Sequence, residues 1–169
     1  MSSMTRQHMF VSPLAADLEQ TTALGPTIRL APFLMILLAL IGIADAFYDS
    51  YAIFNSQRLW CPPPLEGCNT VANSPYARVF DIPLGYLGVA YYAFMFILSA
   101  LLAFDPLSRG LRLGTVLYAA IGVLCSMVFA YIQFSFIHAF CIYCMISALL
   151  TVLLLIAASS HAAAARMTA

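Results

Sequence analysis

Lysine is absent from the 169 residues. The charge that remains is sparse, seven Arg against seven Asp and Glu, or 8% of the chain, where a soluble domain carries about 25%. With no basic surplus, nothing is available to neutralise phosphates, which excludes a nucleic-acid role. The 63% of hydrophobic residues stands well above the roughly 45–50% of soluble domains and excludes an ordinary water-soluble protein. The chain has no internal repeat, and its length suits one domain. What it does have is long uncharged runs and five cysteines.

The uncharged runs are 30–44 (15 residues), 82–104 (23), 113–137 (25) and 139–160 (22). About 20 apolar residues cross a bilayer, so the first run reaches that length only by continuing through Asp45 to Tyr48. Lipid offers the backbone no hydrogen-bond partners, so such segments are helical. The expected fold is an all-α integral membrane bundle of four transmembrane helices, with an outer loop carrying a cysteine pair. The domain layout is a cytoplasmic tail at 1–27 and a membrane domain at 28–160, followed by a cytoplasmic tail at 161–169. Within the membrane domain the spans fall near 28–48, 82–104, 112–136 and 139–160, and the outer loop is 49–81.

Arginine sets the orientation, because cytoplasmic flanks collect basic residues. With the N-terminus inside, Arg6, Arg29, Arg109, Arg112 and Arg166 lie on the cytoplasmic side and only Arg58 and Arg78 opposite. The long loop and the very short connection around His138 then share the outer, oxidising face. Ala44-Asp45-Ala46 has the small-x-small form of a signal cleavage site, but the tail before the first span is longer than a usual signal n-region and contains Asp17 and Glu19. An uncleaved first span is therefore expected, preceded by a polar tail without strong periodicity.

Cys61 and Cys68 stand in the outer loop as Cys-Pro-Pro-Pro-Leu-Glu-Gly-Cys, where proline restricts the backbone and Gly67 lets it turn back. Cys141 and Cys144 form Cys-Ile-Tyr-Cys at the outer end of the fourth span. Residues three apart on a helix share a face, with Cβ atoms about 5–6 Å apart, within reach of a bridge. The helix N-terminus favours the thiolate of Cys141 in the first turn, while the apolar setting of Cys144 opposes its ionisation. A static disulfide is the bland alternative, yet a staple closing four residues of one helix constrains almost nothing. A four-cysteine zinc site is a second alternative, which oxidising surroundings and the depth of Cys144 disfavour, so no metal is expected. Cys125, in the middle of the third span, reads as a small buried hydrophobe.

Taken together, the four spans, the loop pair, the segment from Cys68 through Asn73-Ser74-Pro75-Tyr76 and Phe80-Asp81-Ile82-Pro83, and the closing Cys-Ile-Tyr-Cys resemble the bacterial vitamin K epoxide reductase family over roughly residues 30–155. Gly85, Gly88 and Tyr91 continue the pattern. The order of the pairs separates this chain from the DsbB-type oxidases, whose Cys-x-x-Cys lies in the first outer loop.

The resemblance implies a membrane thiol:quinone oxidoreductase in the bacterial inner membrane that reoxidises a periplasmic thioredoxin-fold dithiol protein. Cys141 and Cys144 would be the active-site pair, with Cys144 facing a quinone of the ubiquinone, menaquinone or vitamin K type. Cys61 and Cys68 would be the shuttle pair, and Ser74 and Phe80 would border the quinone. Asp81 stands where the family commonly has Gly, and Ala148 where the animal enzymes have a pocket Tyr, which favours plain quinone reduction over epoxide reduction. The chain ends shortly after the fourth span, which makes a separate donor protein the expectation rather than a fused thioredoxin-like domain. A non-enzymatic membrane protein with structural disulfides or a metal site is the rival reading. Trp60 and His138 read as interfacial residues. Tyr91, Tyr92, Phe94 and Phe96 are expected mainly to pack or face lipid, with one or two near a pocket.

Overall fold

In a computed structural model of the protein the residues described are 26–55, 57–63 and 67–167; the tail before residue 26 lies outside them. Among the described residues four helices are long and apolar enough to cross a membrane. They are α1 (Pro26–Phe54), α3 (Leu84–Phe104), α4 (Arg109–Ile132) and α5 (Ile142–Met167), with a short α2 (Cys68–Ala72) in the long loop after α1. A 3₁₀ turn (Pro75–Ala77) and a two-strand hairpin, β1 (Arg78–Val79) and β2 (Ile82–Pro83), lead into α3.

Two helix ends differ from the sequence expectation. α1 continues six residues past Tyr48, so Asp49, expected to open the loop, is helical like Asp45. Its 29 residues span about 43 Å, more than the thickness of a hydrocarbon core. α5 continues through 161–167, where a free tail was expected, because His161 is fully buried there with Nε2 3.2 Å from the Pro106 carbonyl oxygen.

The core is drawn from Met35, Leu38, Ala39 and Ala46 of α1, Tyr92, Met95 and Leu102 of α3, Ala119 of α4, and Leu150, Leu154, Ala157 and Ala158 of α5. Small residues at these faces let backbones approach, which is how helices associate when lipid supplies no hydrophobic drive. At Gly42 any side chain would strike the Tyr92 ring. Tyr92 in turn donates from its hydroxyl to the Ser147 carbonyl (2.9 Å), tying α1, α3 and α5 together. Buried Ser50, Ser99 and Thr115 give their hydroxyl protons to carbonyls one turn back, so these three donors are satisfied within their own helices. The outward faces carry Leu30, Phe33, Leu37, Leu117, Leu124 and Ile156, all exposed and suited to lipid. α1 packs broadly on α3 and α5, and α5 on α4, whereas α3 and α4 touch each other far less. A cleft therefore remains between them.

Candidate active site

The site is built at the end of the bundle where the long loop folds onto the start of α5. The α4 helix ends in a π-helical turn, Gln133–Ile137, and His138 at φ 54° reverses the chain. Left-handed geometry is more tolerable for His than for a β-branched residue, and exposed His138 marks this turn. Three residues later the Cys141 carbonyl accepts the Met145 N–H (3.1 Å), the first bond of α5. Cys141 is thus the N-cap of the helix and not a first-turn residue, and its sulfur occupies the place of the usual N-cap oxygen.

That position governs its chemistry. The Cys144 thiol donates a hydrogen bond to the Cys141 sulfur and is the largest influence lowering the Cys141 pKa. Burial works against it, the backbone N–H groups of Cys144 and Tyr143 add to the lowering, and the charge of Asp49 opposes; the net position is below the ordinary thiol value. We expect the thiolate of Cys141 to form at lower pH than in a free cysteine, and Cys144→Ala to raise that midpoint by removing the leading donor. Ultraviolet thiolate absorbance of the two proteins during a pH titration, each with Cys61 and Cys68 changed to Ala and the remaining thiols kept reduced, checks this, and an unmoved midpoint would contradict the assignment.

Gln133 is 3% exposed, and its Oε1 accepts the Cys141 N–H at 2.9 Å. Its side chain also hydrogen-bonds the Cys144 thiol. A buried amide at a π-helical turn, satisfied by both cysteines, fixes where the two sulfurs lie.

The loop is held over this cap by specific contacts. Cys61 and Cys68 are joined as a disulfide, and the Cys68 N–H points at the Cys61 sulfur (3.3 Å). Asn69 clasps Leu59 from both sides, accepting its N–H (2.9 Å) and donating to its carbonyl (3.2 Å). Tyr143, between the two helix cysteines, donates its hydroxyl to the Trp60 carbonyl at 2.6 Å. Gly67 has φ −78°, open to any residue, so its value is not a turn. A Cβ there would lie 2.6 Å from the Phe140 oxygen and 2.7 Å from its nitrogen. Close approach of the loop to the α5 cap requires glycine. The result is one buried cluster of Ala52, Leu59, Cys68 and Cys141, with Cys61 and Cys144 packed against it.

Two chambers meet at Cys144. The smaller, about 40 Å³, is bordered by Cys68, Cys141, Cys144 and Ser74 and has room for water but not for an aromatic ring. The larger, about 400 Å³, lies in the cleft between α3 and α4 and is mainly apolar, with Tyr91, Tyr92, Ile121, Gly122 and Phe129 among its walls. Cys144, Gln133, Asp49, Leu84 and Phe129 border both.

The structure therefore brings Cys61, Cys68, Cys141, Cys144 and Ser74 together. Ser74 borders the small chamber and donates its hydroxyl to the Val71 carbonyl (2.7 Å). Phe80 stands apart, 94% exposed at the hairpin tip and outside both linings. Phe80 and Asp81 both have positive φ, 53° and 63°, in a two-residue hairpin turn. That geometry accounts for Gly being a natural choice at position 81. Cys125 is exposed and borders the large chamber, contrary to the expected buried hydrophobe, because the loose α3–α4 packing leaves its face of α4 uncovered. Tyr91 and Tyr92 also border that chamber. Gln133, Asp45 and Asp49 were not singled out from the sequence; the signal for the two acids was their position one turn apart in an otherwise apolar helix.

The sequence profile of the Vitamin K epoxide reductase family matches residues 33–159. The thiol-disulfide oxidoreductase LTO1 of Arabidopsis thaliana is 32% identical over 113 residues, 63% of this chain and 30% of that protein. The chain thus spans about 30% of the length of that relative. Since the profile runs from the first span to the end of the fourth and takes in the loop cysteines and the α5 cap, the chain belongs to the vitamin K epoxide reductase family.

Proposed function

We propose that the protein is a thiol:quinone oxidoreductase that takes electrons from a thioredoxin-fold dithiol protein and delivers them to a membrane quinone. The observation that carries this reading is the position of Cys144, among the described residues the one sulfur bordering both the chamber of the loop disulfide and the apolar cleft. A cleft of about 400 Å³ is within the usual range for small-molecule sites, and its mainly apolar walls suit an apolar acceptor.

The steps are successive thiol–disulfide exchanges. A partner thiolate attacks the loop disulfide, most simply at half-exposed Cys61, and frees Cys68. The partner's second thiol resolves its bond to Cys61 and leaves both loop thiols reduced. Buried Cys68, packed with Cys141, then attacks the Cys141–Cys144 disulfide at Cys141 and frees Cys144, and Cys61 resolves the Cys68–Cys141 bond, which re-forms the loop disulfide and leaves both α5 thiols reduced. The reduced pair then gives two electrons to the quinone. A four-cysteine zinc site would need the two sulfurs already joined in the loop. The Arg asymmetry supports an outward-facing loop, the periplasmic side of an inner membrane, with both termini inside.

The test is thiol trapping in intact cells with a membrane-impermeant reagent, with and without added quinone. Quinone should drive Cys141 and Cys144 into the oxidised form, and the loop pair, once reduced, should react from outside. Stoichiometric zinc, or cysteines indifferent to quinone, would favour the non-enzymatic rival. Cys125→Ala should keep turnover within about twofold of wild type, since only a small side chain is lost. Cys125 lies eight residues inward of Gln133, about 12 Å along α4 and beyond disulfide reach of the pair. An inactive but correctly inserted Cys125→Ala protein would add a member to the relay.

A further inference from the structure

Asp45 and Asp49 are one helical turn apart on α1, and both border the large chamber. Among the described residues neither is paired with an arginine. Unpaired carboxyls in a membrane helix are costly, so their presence calls for work that offsets the cost. Asp49 is the better placed of the two. It borders both chambers with Cys144 and Gln133, and its electrostatic field reaches the sulfurs of Cys141 and Cys144. The groups around it are Asp45 from α1, Cys141 and Cys144 at the start of α5, Gly85 and Leu84 from α3, and Gln133 and Phe129 from α4. Gly85 makes the space: a Cβ at that position would lie 3.0 Å from Asp49 Oδ2.

A carboxyl and a thiol that line the same apolar chamber resist carrying two negative charges at once. Carboxylate with thiol, or carboxylic acid with thiolate, are the favoured pairs, and one proton passing between them converts one into the other. We propose, resting on the thiol:quinone reading, that Asp49 is the acid–base residue that accepts the Cys144 thiol proton and delivers it to the nearer quinone oxygen. In the complete step two S–H bonds break, one S–S bond forms between Cys141 and Cys144, and two electrons reach the quinone, which leaves as quinol. Asp49 carries one of the two protons and ends the cycle as it began. The second, lost from Cys141 to the outer aqueous side, is matched by one that the far quinone oxygen takes from water.

The experiment splits the cycle in the full-length protein purified in detergent. One half is reduction of the Cys141–Cys144 disulfide by a small dithiol without quinone. The other is single-turnover reduction of a short-chain ubiquinone analogue by the fully reduced protein. Asp49→Asn should slow the quinone step by about 100-fold, in the range general acid–base groups contribute, with little change in the quinone concentration giving half the maximal rate. The same variant should leave the dithiol step unchanged or faster, because the charge opposing the Cys141 thiolate is gone. Asp49→Glu should recover at least a tenth of the wild-type quinone rate. An Asp49→Asn protein within threefold of wild type in the quinone step, or slowed equally in both halves, overturns the proposal alone. Wild-type protein that exchanges thiols but reduces no quinone overturns the underlying reading and the proposal with it. Should the amide variant fail to accumulate, Asp49→Ser is compared by the same thresholds.

Discussion

Cys144→Ala is expected to abolish quinone reduction with every electron donor, by at least about 10³-fold, as loss of a covalently acting residue does. Cys68 and Cys141 border only the small chamber and Cys125 only the large one, while Cys144 borders both. Removing its sulfur leaves Cys141 without a route to the cleft, however well the loop is reduced. It also removes the resolving thiol. Cys141 should then accumulate in a mixed disulfide with Cys68, its buried neighbour, leaving Cys61 free to be alkylated. Non-reducing mass mapping and quinone turnover in one preparation check both consequences. Turnover near the wild-type rate would remove Cys144 from the chemistry, and a mixed disulfide through Cys61 would reverse the order of the loop pair.

The four spans were legible because lipid imposes a length and an absence of charge that the sequence displays directly. Their ends were less so. Asp45 and Asp49 look like the end of a span when only charge is counted. In the folded chain they turn toward an internal cleft and α1 continues past them. The two cysteine pairs and their order were readable, since spacing and motif survive in one dimension. The amide that connects them was not. Gln133 is uncharged and eight residues from Cys141, and only the π-helical turn followed by the reversal at His138 brings its oxygen to the Cys141 N–H. Cys125 shows the same limit in another form. Its apolar neighbours are compatible with a core position, and which face of α4 is left open depends on how little α3 and α4 touch. The aromatic at position 80 was placed near the pocket by resemblance, but a two-residue hairpin turn with both φ values positive sends it outward.

Gly67→Val should separate the two halves of the relay without touching a sulfur. Glycine is needed at this position because the loop passes so close to Phe140 that a Cβ would fall 2.6 Å from a backbone oxygen and 2.7 Å from a backbone nitrogen. Neither of those atoms can swing aside as the end of a flexible side chain would. The loop must lift instead, and the residue lifted first is Cys68, next in the chain and packed against Cys141. A displacement of about 1 Å between reacting groups can cost about 100-fold in rate. We therefore expect turnover with a thioredoxin-fold protein donor to fall by about 100-fold. A small dithiol able to reach Cys141 directly should support quinone reduction close to the wild-type rate, because Gln133, Cys144 and the cleft are untouched. Cys68→Ala should give the same pattern more completely, since no loop thiol remains to attack Cys141. Measured side by side, equal losses with both donors in Gly67→Val would show that the loop supports the α5 cap itself. An unaffected protein-donor rate would show that the approach of Cys68 to Cys141 does not limit transfer.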